Sequence, residues 1–238
     1  MSRGFILRNQ HGELVVHRDS LGTQCIGRAA FTQLVQPSST LGGSRVAGYS
    51  SYRFASDRPI LWAFDLPVGR RVGVVSTGYA NGINTIGVYC GANPDVQGFD
   101  QQFAVDVWAF STLVPDTVGA GRGLRLRNSS GVLSHDFLVP NITLPLAAGD
   151  LTTPAQLPAI VRPVAIGSSP FYDVQYESDE VNYFKTDRRQ FLLRAPDNSV
   201  AYSPGLIYRS GAMHGNPPQG STLTDPSPYF VVDGQFLP

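Results

Sequence analysis

Residues 4–17 have the sequence Gly-Phe-Ile-Leu-Arg-Asn-Gln-His-Gly-Glu-Leu-Val-Val-His, and this stretch decides the fold. An apolar run is followed by a turn built on Asn and Gly, and then by a second apolar run. Asn and Gly adopt positive φ at little cost, so they favour a tight connection between two neighbouring strands. The stretch therefore predicts a β-hairpin.

The same pattern recurs twice further along the chain. Aligning residues 4–14 with 123–133 gives identities at these positions: Gly4/Gly123, Leu7/Leu126, Arg8/Arg127, Asn9/Asn128, Gly12/Gly131 and Leu14/Leu133. A weaker third copy lies at residues 191–200, where Asp197 and Asn198 take the place of the turn. We therefore expect residues 4–17 and 122–136 to form equivalent hairpins.

The remaining sequence also favours strands. Residues 103–110 alternate with two largely apolar faces, which predicts a central strand of a sandwich. Residues 60–66 are bracketed by Pro59 and Pro67, which disfavour a helix, and Asn81-Gly82 is a hairpin signal. No segment has a sustained apolar period of about 3.6 residues. The chain is predicted to be all-β.

We expect antiparallel β-sandwich units joined by long Pro/Gly-rich connections. The first unit covers residues 1–118, and the second covers residues 119–238 and begins with the repeat of the first hairpin. Residues 140–163 carry five prolines and are predicted to be extended. The repeats are compatible with two domains or with one pseudo-symmetric sandwich.

Composition excludes several classes of function. The chain has 18 basic and 18 acidic residues, whereas a nucleic-acid surface needs a basic excess. Charged residues make up only 15% of the 238 residues, which fits a subunit that meets its neighbours over much of its surface and also fits a polar extracellular β-protein rich in Ser, Thr, Gln and Asn. No apolar run approaches the ~18 residues of a membrane span. The first residues lack a signal-peptide pattern, so we expect the chain to be made and folded in a cytosol.

Few residues offer chemistry. The four histidines lack the spacing of a helical zinc site, and we expect neither a metal nor a cofactor. Two carboxylates across a cleft would suit a glycosidase, but the one acidic cluster is better explained as a solvated strand face. That cluster consists of Asp173, Glu177, Asp179, Glu180 and Asp187. We expect no catalytic residues and no enzymatic activity. Cys25 and Cys90 are expected to be buried, reduced thiols.

The hairpin phrase also carries a family resemblance. Gly-hydrophobic-x-hydrophobic-Arg-Asn-x-x-Gly-x-Leu, following a segment such as Val107-Trp-Ala-Phe-Ser-Thr-Leu-Val-Pro, resembles small β-rich minor tail proteins of tailed bacteriophages. The likeness covers mainly residues 3–20 and 103–137. It implies a structural subunit of the tail tip, baseplate or fibre attachment site, located in the virion tail and assembled in the host cytoplasm.

The resemblance also implies the partners. They would be other tail-tip or fibre subunits, further copies of the chain in an oligomer or ring, and a host-surface receptor. The main alternative is a receptor- or carbohydrate-binding β-sandwich module on the same particle, in which exposed aromatic side chains would stack on sugar rings. A glycan hydrolase is the third alternative.

Two segments are predicted to reach partners. Apolar side chains between prolines in residues 140–163 lack the alternation of a strand in the home sheet, and a stiff segment loses little entropy on docking. The chain end is also apolar. The predicted partner contacts are Ile142, Leu144, Leu146, Leu157, Phe236 and Leu237. In the isolated protein, at least one of these segments should exchange amide hydrogens quickly.

Overall fold

The computed structural model shows a chain built from strands and connections. It describes the following residues: 6–8, 14–17, 23–39, 42–91, 101–111, 125–127, 131, 133–136, 147–150, 152–159, 162–166, 171–178, 182–224, 229–235 and 237. All structural statements below concern these residues.

The described strands, in chain order, are β1 (Ile6–Arg8), β2 (Leu14–His17), β3 (Gln24–Arg28), β4 (Ala30–Val35), β5 (Ser38–Ser39), β6 (Arg45–Val46), β7 (Tyr49–Ala55), β8 (Leu61–Asp65), β9 (Arg71–Ala80), β10 (Ile83–Gly91), β11 (Val107–Ser111), β12 (Arg125–Arg127), β13 (Leu133–Asp136), β14 (Ala147–Gly149), β15 (Ala155–Gln156), β16 (Pro163–Ile166), β17 (Phe171–Ser178), β18 (Asn182–Arg194), β19 (Ser199–Arg209), β20 (Met213–His214), β21 (Ser221–Thr224) and β22 (Tyr229–Asp233).

Two large sheets form a sandwich. The first sheet has the order β4-β7-β10-β9-β18-β19-β6-β5, and β15, β17, β20 and β21 pair beside this path. The second sheet has the order β14-β22-β16-β8-β11-β3. Every pair of these strands is antiparallel. The all-β antiparallel prediction is confirmed.

The main core lies between the two sheets. The first sheet contributes Tyr52, Val72, Ile86, Val88, Cys90, Leu192 and Val200, and the second contributes Phe64, Val107, Ala165, Tyr229 and Val231. A second apolar cluster, which we call the outer cluster, covers the other face of the smaller sheet. Its members are Cys25, Ala63, Trp108, Phe110, Val164, Ile166 and Val232, with Leu237 packed against them.

The described strands of the two predicted units are interleaved. In the first sheet, β9 pairs with β18, and in the second sheet β8 pairs with β16. Each sheet therefore takes strands from both sides of residue 119. The physical reason is that the strands of residues 119–238 complete the core of the first half: Val231 and Leu192 pack in the same cluster as Phe64 and Val72.

The described strands of the predicted hairpins at 4–17 and 122–136 pair in equivalent registers. β1 pairs with β2, and Arg8 lies opposite Leu14, next to an irregularity between Leu7 and Arg8. β12 pairs with β13, and Arg127 lies opposite Leu133, next to an irregularity at the matching position, between Leu126 and Arg127. Each hairpin forms its own two-stranded sheet.

The third repeat closes over the same number of residues, but without the irregularity before its arginine. Arg194 at the end of β18 lies opposite Val200 on β19, again six positions later in the chain. Its guanidinium donates to the side-chain oxygen of Asn198 at 2.7 Å, and that of Arg127 donates to the Gly131 carbonyl at 2.9 Å. In both hairpins the arginine contacts the residue four positions ahead, which has positive φ. The repeated Arg therefore stabilises the turn that the Asn/Gly position makes possible.

The central-strand prediction for residues 103–110 holds for its second half. β11 lies between β8 and β3, and both of its faces are buried. Residues 103–106 lie outside the strand, and their backbone groups bond partly to side chains of β7 and partly to single backbone groups of β10 and β8. The Ser50 hydroxyl donates to the Phe103 carbonyl, and the Tyr52 hydroxyl pairs with both backbone groups of Val105.

The turn between β9 and β10 follows the predicted chemistry. Asn81 and Gly82 have φ of 51° and 76°, and the register runs without a break from Ile83 opposite Ala80 to Gly87 opposite Ser76. Two successive residues with positive φ give a turn whose twist matches that of the strands, which is why Asn-Gly is favoured there. None of the described residues forms a helix long and apolar enough to cross a membrane.

Both cysteines are free and buried, as predicted. Cys25 lies in the outer cluster and Cys90 in the main core. Burial raises the pKa of each thiol to about 11, with a hydrogen bond to Gly27 opposing the shift at Cys25 and Arg70 opposing it at Cys90. At pH 8 only roughly one thiol in a thousand would then be ionised.

We therefore expect a disulfide-exchange reagent at pH 8 to find no reactive thiol in the folded protein. In denaturant without reductant the same reagent should find two. The absorbance of the product that the reagent releases, divided by the protein concentration, gives the number of reactive thiols per chain in each condition. Zero thiols in denaturant would contradict the observed free cysteines, and rapid reaction of the folded protein would contradict their burial.

Candidate functional site

The segment 101–106 crosses the core-facing side of the first sheet and positions the candidate site. The Gln102 side-chain oxygen accepts from the Cys90 backbone N–H, and the Gln102 backbone N–H donates to the Gln36 side chain. The Tyr52 hydroxyl donates to the Val105 carbonyl at 2.6 Å and accepts from the Val105 N–H at 3.0 Å. Burial raises the pKa of Tyr52, so the phenol stays protonated and can donate. These bonds fix the backbone just before Asp106.

Four charged side chains form a network at the end of this segment. The Arg162 guanidinium forms two bonds to the Asp65 carboxylate, at 3.0 and 3.1 Å, and a third to Asp106. Arg28 bonds to the other oxygen of Asp106. The backbone N–H of Asp65 donates to the Asp106 carbonyl at 3.1 Å, which holds the two carboxylate-bearing residues side by side. Paired, bidentate contacts of this kind have a defined geometry.

The network borders a cavity between the ends of the two sheets, which we call the inter-sheet pocket. Its volume is about 450 Å³, within the ~300–1,000 Å³ range of small-molecule sites. It is lined by Arg28, Ala29, Phe31, Tyr52, Asp65, Pro67, Ala104, Val105, Asp106 and Val107. The chain crosses from one sheet to the other here, and the Ala29 N–H donates to the Val107 carbonyl at 2.8 Å. The pocket therefore has one wall from each sheet.

The charges of the site balance. Asp65 and Asp106 are opposed by Arg28 and Arg162, and each carboxylate already accepts bonds from a guanidinium. A retaining glycosidase uses one carboxylate as nucleophile and the other as acid and base. Here a single guanidinium bridges both carboxylates, so the arrangement offers hydrogen-bonding groups in fixed positions. It suits binding of a polar ligand better than proton transfer.

Beside the pocket, β4 forms one edge of the larger sheet. It pairs with β7, and β7 continues to β10 on its other side. Its residues are Ala30, Phe31, Thr32, Gln33, Leu34 and Val35, with no charge and no proline. Phe31 is 52% exposed and Leu34 is 41% exposed. Both lie opposite residues of the core-facing side, Tyr52 and Ser50, so they share one face of the edge.

The structure places the predicted partner contacts as follows. Leu157 is 4% exposed and belongs to the main core of its own chain, where its N–H donates to the Asn198 carbonyl. Leu237 packs against the outer cluster. Ile142, Leu144, Leu146 and Phe236 lie outside the described residues. Leu157 is therefore enclosed by the two sheets of its own chain and is not part of an exposed surface.

The described part of the proline-rich segment also pairs with strands of its own chain. Ala147 to Gly149 pair with β22, and Ala155 and Gln156 pair with β19. Prolines keep each of these strands to two or three residues, too short for an alternating pattern to be visible in the sequence. The absence of alternation therefore reflected short strands at the sheet edges.

The other residues singled out from the sequence do not converge. Glu177 pairs with Arg188 and lies 3.9 Å from Arg209, and Asp187 pairs with Lys185. Glu177 is exposed, as a solvated strand face requires, whereas Asp187 is buried, so the prediction is wrong for Asp187. Asp179 and Glu180 lie outside the described residues. Among the described residues, no group of three or more His, Cys, Asp or Glu side chains could hold a metal ion. Trp108 and Tyr229 are fully buried, whereas Tyr79 is 61% exposed.

The inter-sheet pocket was not predicted from the sequence. Arg162 lies 97 positions from Asp65 and 56 from Asp106, so only the fold brings them together. A signal was nonetheless present. Asp65 and Asp106 are single acidic residues at the end of one apolar run and within another, and a carboxylate so placed needs a cationic partner when the strand is half-buried. Comparisons with protein-family models, with curated proteins and with solved structures found no match to this chain.

Proposed function

We propose that the protein is a structural subunit of a bacteriophage tail tip, baseplate or fibre attachment site, and that it acts by assembling with other subunits. The observation that carries the proposal is the uncharged edge strand β4 with Phe31 and Leu34 exposed on one face. The resemblance of the hairpin sequence to minor tail proteins supports the location.

An edge strand presents backbone N–H and C=O groups to any strand that approaches it. Natural proteins protect such edges with Lys, Pro or bulges. β4 has neither Lys nor Pro, and the irregularity between Phe31 and Gln33 lies within its first half. The regular register continues over Gln33, Leu34 and Val35. This part of the edge is suited to pairing with another strand.

We assign the partner as a second copy of the same chain. An antiparallel pair of identical edges is self-complementary around a two-fold axis, and every contact is then made twice. The chain has a net charge of zero, and β4 carries no charge, so two copies do not repel one another strongly at this edge. Exposed Leu34 would be covered by the second copy.

We expect the purified protein to self-associate as its concentration rises, and Leu34→Lys to weaken that self-association at least tenfold. The substitution would place a cation at each strand of a paired edge, where burial of an unpaired charge is costly. Light scattering coupled to size exclusion measures the mass. Leu61→Lys is the matched control, because Leu61 is 50% exposed on the other sheet.

The same variant tests the location. An antibody against the chain should label density-purified phage particles at the tail, and particles made with Leu34→Lys should carry less of the protein. A chain that is monomeric at all concentrations would overturn the assignment of the partner. Particles that lack the chain altogether would overturn the virion proposal, whatever the oligomeric state.

A further inference from the structure

We infer that the inter-sheet pocket binds one uncharged sugar ring, such as a residue of a surface glycan. The pocket shares Phe31 with the edge strand β4 but not Leu34, so this inference and self-association through β4 are tested by substitutions at different residues. Four properties support it: the size of the cavity, the balance of its charges, the mixture of donors and acceptors, and an exposed aromatic ring at its rim.

The charge balance selects an uncharged ligand. Asp65, Asp106 and Arg28 line the pocket, and Arg162, which is not part of the lining, contacts both carboxylates and balances the remaining negative charge. An anionic ligand would approach Asp65 and Asp106, and a cationic ligand would approach Arg28. Each would lose in repulsion much of what it gained in attraction. A neutral molecule with many hydroxyl groups meets no such penalty.

The same charged side chains can form hydrogen bonds with the hydroxyl groups of a sugar. A carboxylate has about four lone-pair sites, and the contacts of Asp106 to Arg28 and Arg162 and of Asp65 to Arg162 occupy only part of them. The Arg28 side chain is 56% exposed and carries further N–H donors. Sugar hydroxyls both donate and accept, so they can pair with the carboxylates and with the guanidinium at once.

The apolar part of the lining suits the face of a pyranose ring. Phe31 lies at the rim with half of its surface exposed, and its ring packs edge-on against Tyr52 with centroids 5.7 Å apart. This contact fixes the Phe31 ring and leaves part of it open. Pro67 and Val105 add further apolar surface. The C–H groups of a sugar ring would cover an aromatic surface that is otherwise in contact with water.

The site is also held in place before any ligand arrives. The segment 101–106 is bonded to Gln36, Ser50 and Tyr52, and Arg162 lies over the Trp108 ring, 4.6 Å from its centroid. Groups that are already ordered lose little entropy on binding. A charge network that served only to close the end of the sandwich would need no exposed aromatic ring beside it.

The test uses the full chain and free monosaccharides. Saturation-transfer NMR with glucose, galactose, N-acetylglucosamine and rhamnose should show transfer from the protein to the ring protons of at least one of them. Phe31→Ala should reduce the affinity about tenfold, which corresponds to loss of one aromatic contact of ~1.4 kcal/mol. Asp106→Asn should reduce it by a similar factor or more.

Matched controls separate the site from the rest of the surface. Tyr79→Ala removes an exposed aromatic ring outside the pocket and should leave binding unchanged. Glucuronate and glucosamine, one anionic and one cationic, should bind more weakly than the neutral sugar. Leu34→Lys should bind the sugar as the wild type does, so failure of this site and failure of the β4 interface are distinguishable.

Three results would overturn the inference. They are no transfer to any sugar of the panel, equal transfer in wild type and Phe31→Ala, or stronger binding of a charged sugar than of every neutral one. A melting curve for each variant shows whether that variant is folded. If Asp106→Asn is unfolded, Phe31→Ala decides alone, because its side chain is half exposed and the fold does not depend on it.

Discussion

Trp108→Ala is expected to lower the free energy of unfolding by about 3–5 kcal/mol, the cost typical of an aromatic side chain deleted from a core. Trp108 lies on the central strand β11 and is the largest fully buried side chain among the described residues. It packs in the outer cluster with Phe110 and Val164. Its removal would leave a cavity between strands that are paired on both sides and cannot collapse freely.

Equilibrium denaturation in urea measures the change, because the midpoint falls while the slope stays constant if only stability is affected. Tyr79→Ala is the control on β9, where an aromatic ring is mostly exposed and its loss should change stability by less than about 0.5 kcal/mol. A Trp108→Ala protein as stable as the wild type would show that the outer face of the smaller sheet is not a core.

Trp108 also connects the fold to the pocket. Arg162 lies over its indole ring and at the same time bonds to Asp65 and Asp106. Loss of the ring therefore removes one of the supports of the guanidinium that holds the two carboxylates together. Trp108→Phe keeps an aromatic face beneath Arg162, so it should preserve more of the pocket than alanine does.

The sequence contained enough to predict the local structure of several elements. The Asn/Gly positions predicted the hairpins, because few residues besides Asn and Gly adopt positive φ cheaply, and Asn81, Gly82, Gly131 and Asn198 do so in the structure. Alternation predicted β11, since a strand with two apolar faces can be stable only when both are covered. These are effects of neighbouring residues in the chain.

The arrangement of the strands depended on contacts that no local pattern specifies. The repeat at residue 123 favoured a second unit starting there, yet β8 pairs with β16 and β9 with β18. A duplicated hairpin fixes only its own two strands, and the pairing of the others follows from which apolar faces fill the common core. For the same reason the Asp65–Arg162 pair could not be predicted, because its two partners occupy different strands far apart in sequence.

In the proline-rich segment, Leu157 shows the same difference between what a local pattern predicts and what the tertiary contacts determine. Leu157 was predicted to contact another subunit because its surroundings lack alternation, and the structure buries it in its own core. One of the contacts that attach this segment to the core is a buried hydroxyl. The Tyr229 side chain accepts a hydrogen bond from the Ala155 N–H at 3.0 Å and donates one to the Val200 carbonyl. Burial raises the pKa of Tyr229, which keeps this hydroxyl protonated.

Tyr229→Phe is expected to lower the free energy of unfolding by about 2–4 kcal/mol, because it leaves a buried donor and a buried acceptor without that partner. The ring itself remains, and its edge-on contact with Tyr202, 5.2 Å between centroids, is preserved. The loss should therefore fall on the segment that the hydroxyl attaches. We expect residues 152–159 of the variant to exchange amide hydrogens at least about 30-fold faster than in the wild type, which corresponds to a local loss of ~2 kcal/mol.

Hydrogen exchange followed by mass spectrometry measures this segment directly in the purified protein. In the wild type the amide of Leu157 should be protected, since it donates to the Asn198 carbonyl at 3.1 Å within the same chain. Tyr79→Phe removes an exposed hydroxyl and should leave the exchange of residues 152–159 unchanged. Fast exchange of this segment already in the wild type would restore it as a segment that waits for a partner subunit. Protection that persists in Tyr229→Phe would show instead that the segment is held without the hydroxyl, by the pairing of β15 with β19 and by the bond from the Leu157 N–H to the Asn198 carbonyl.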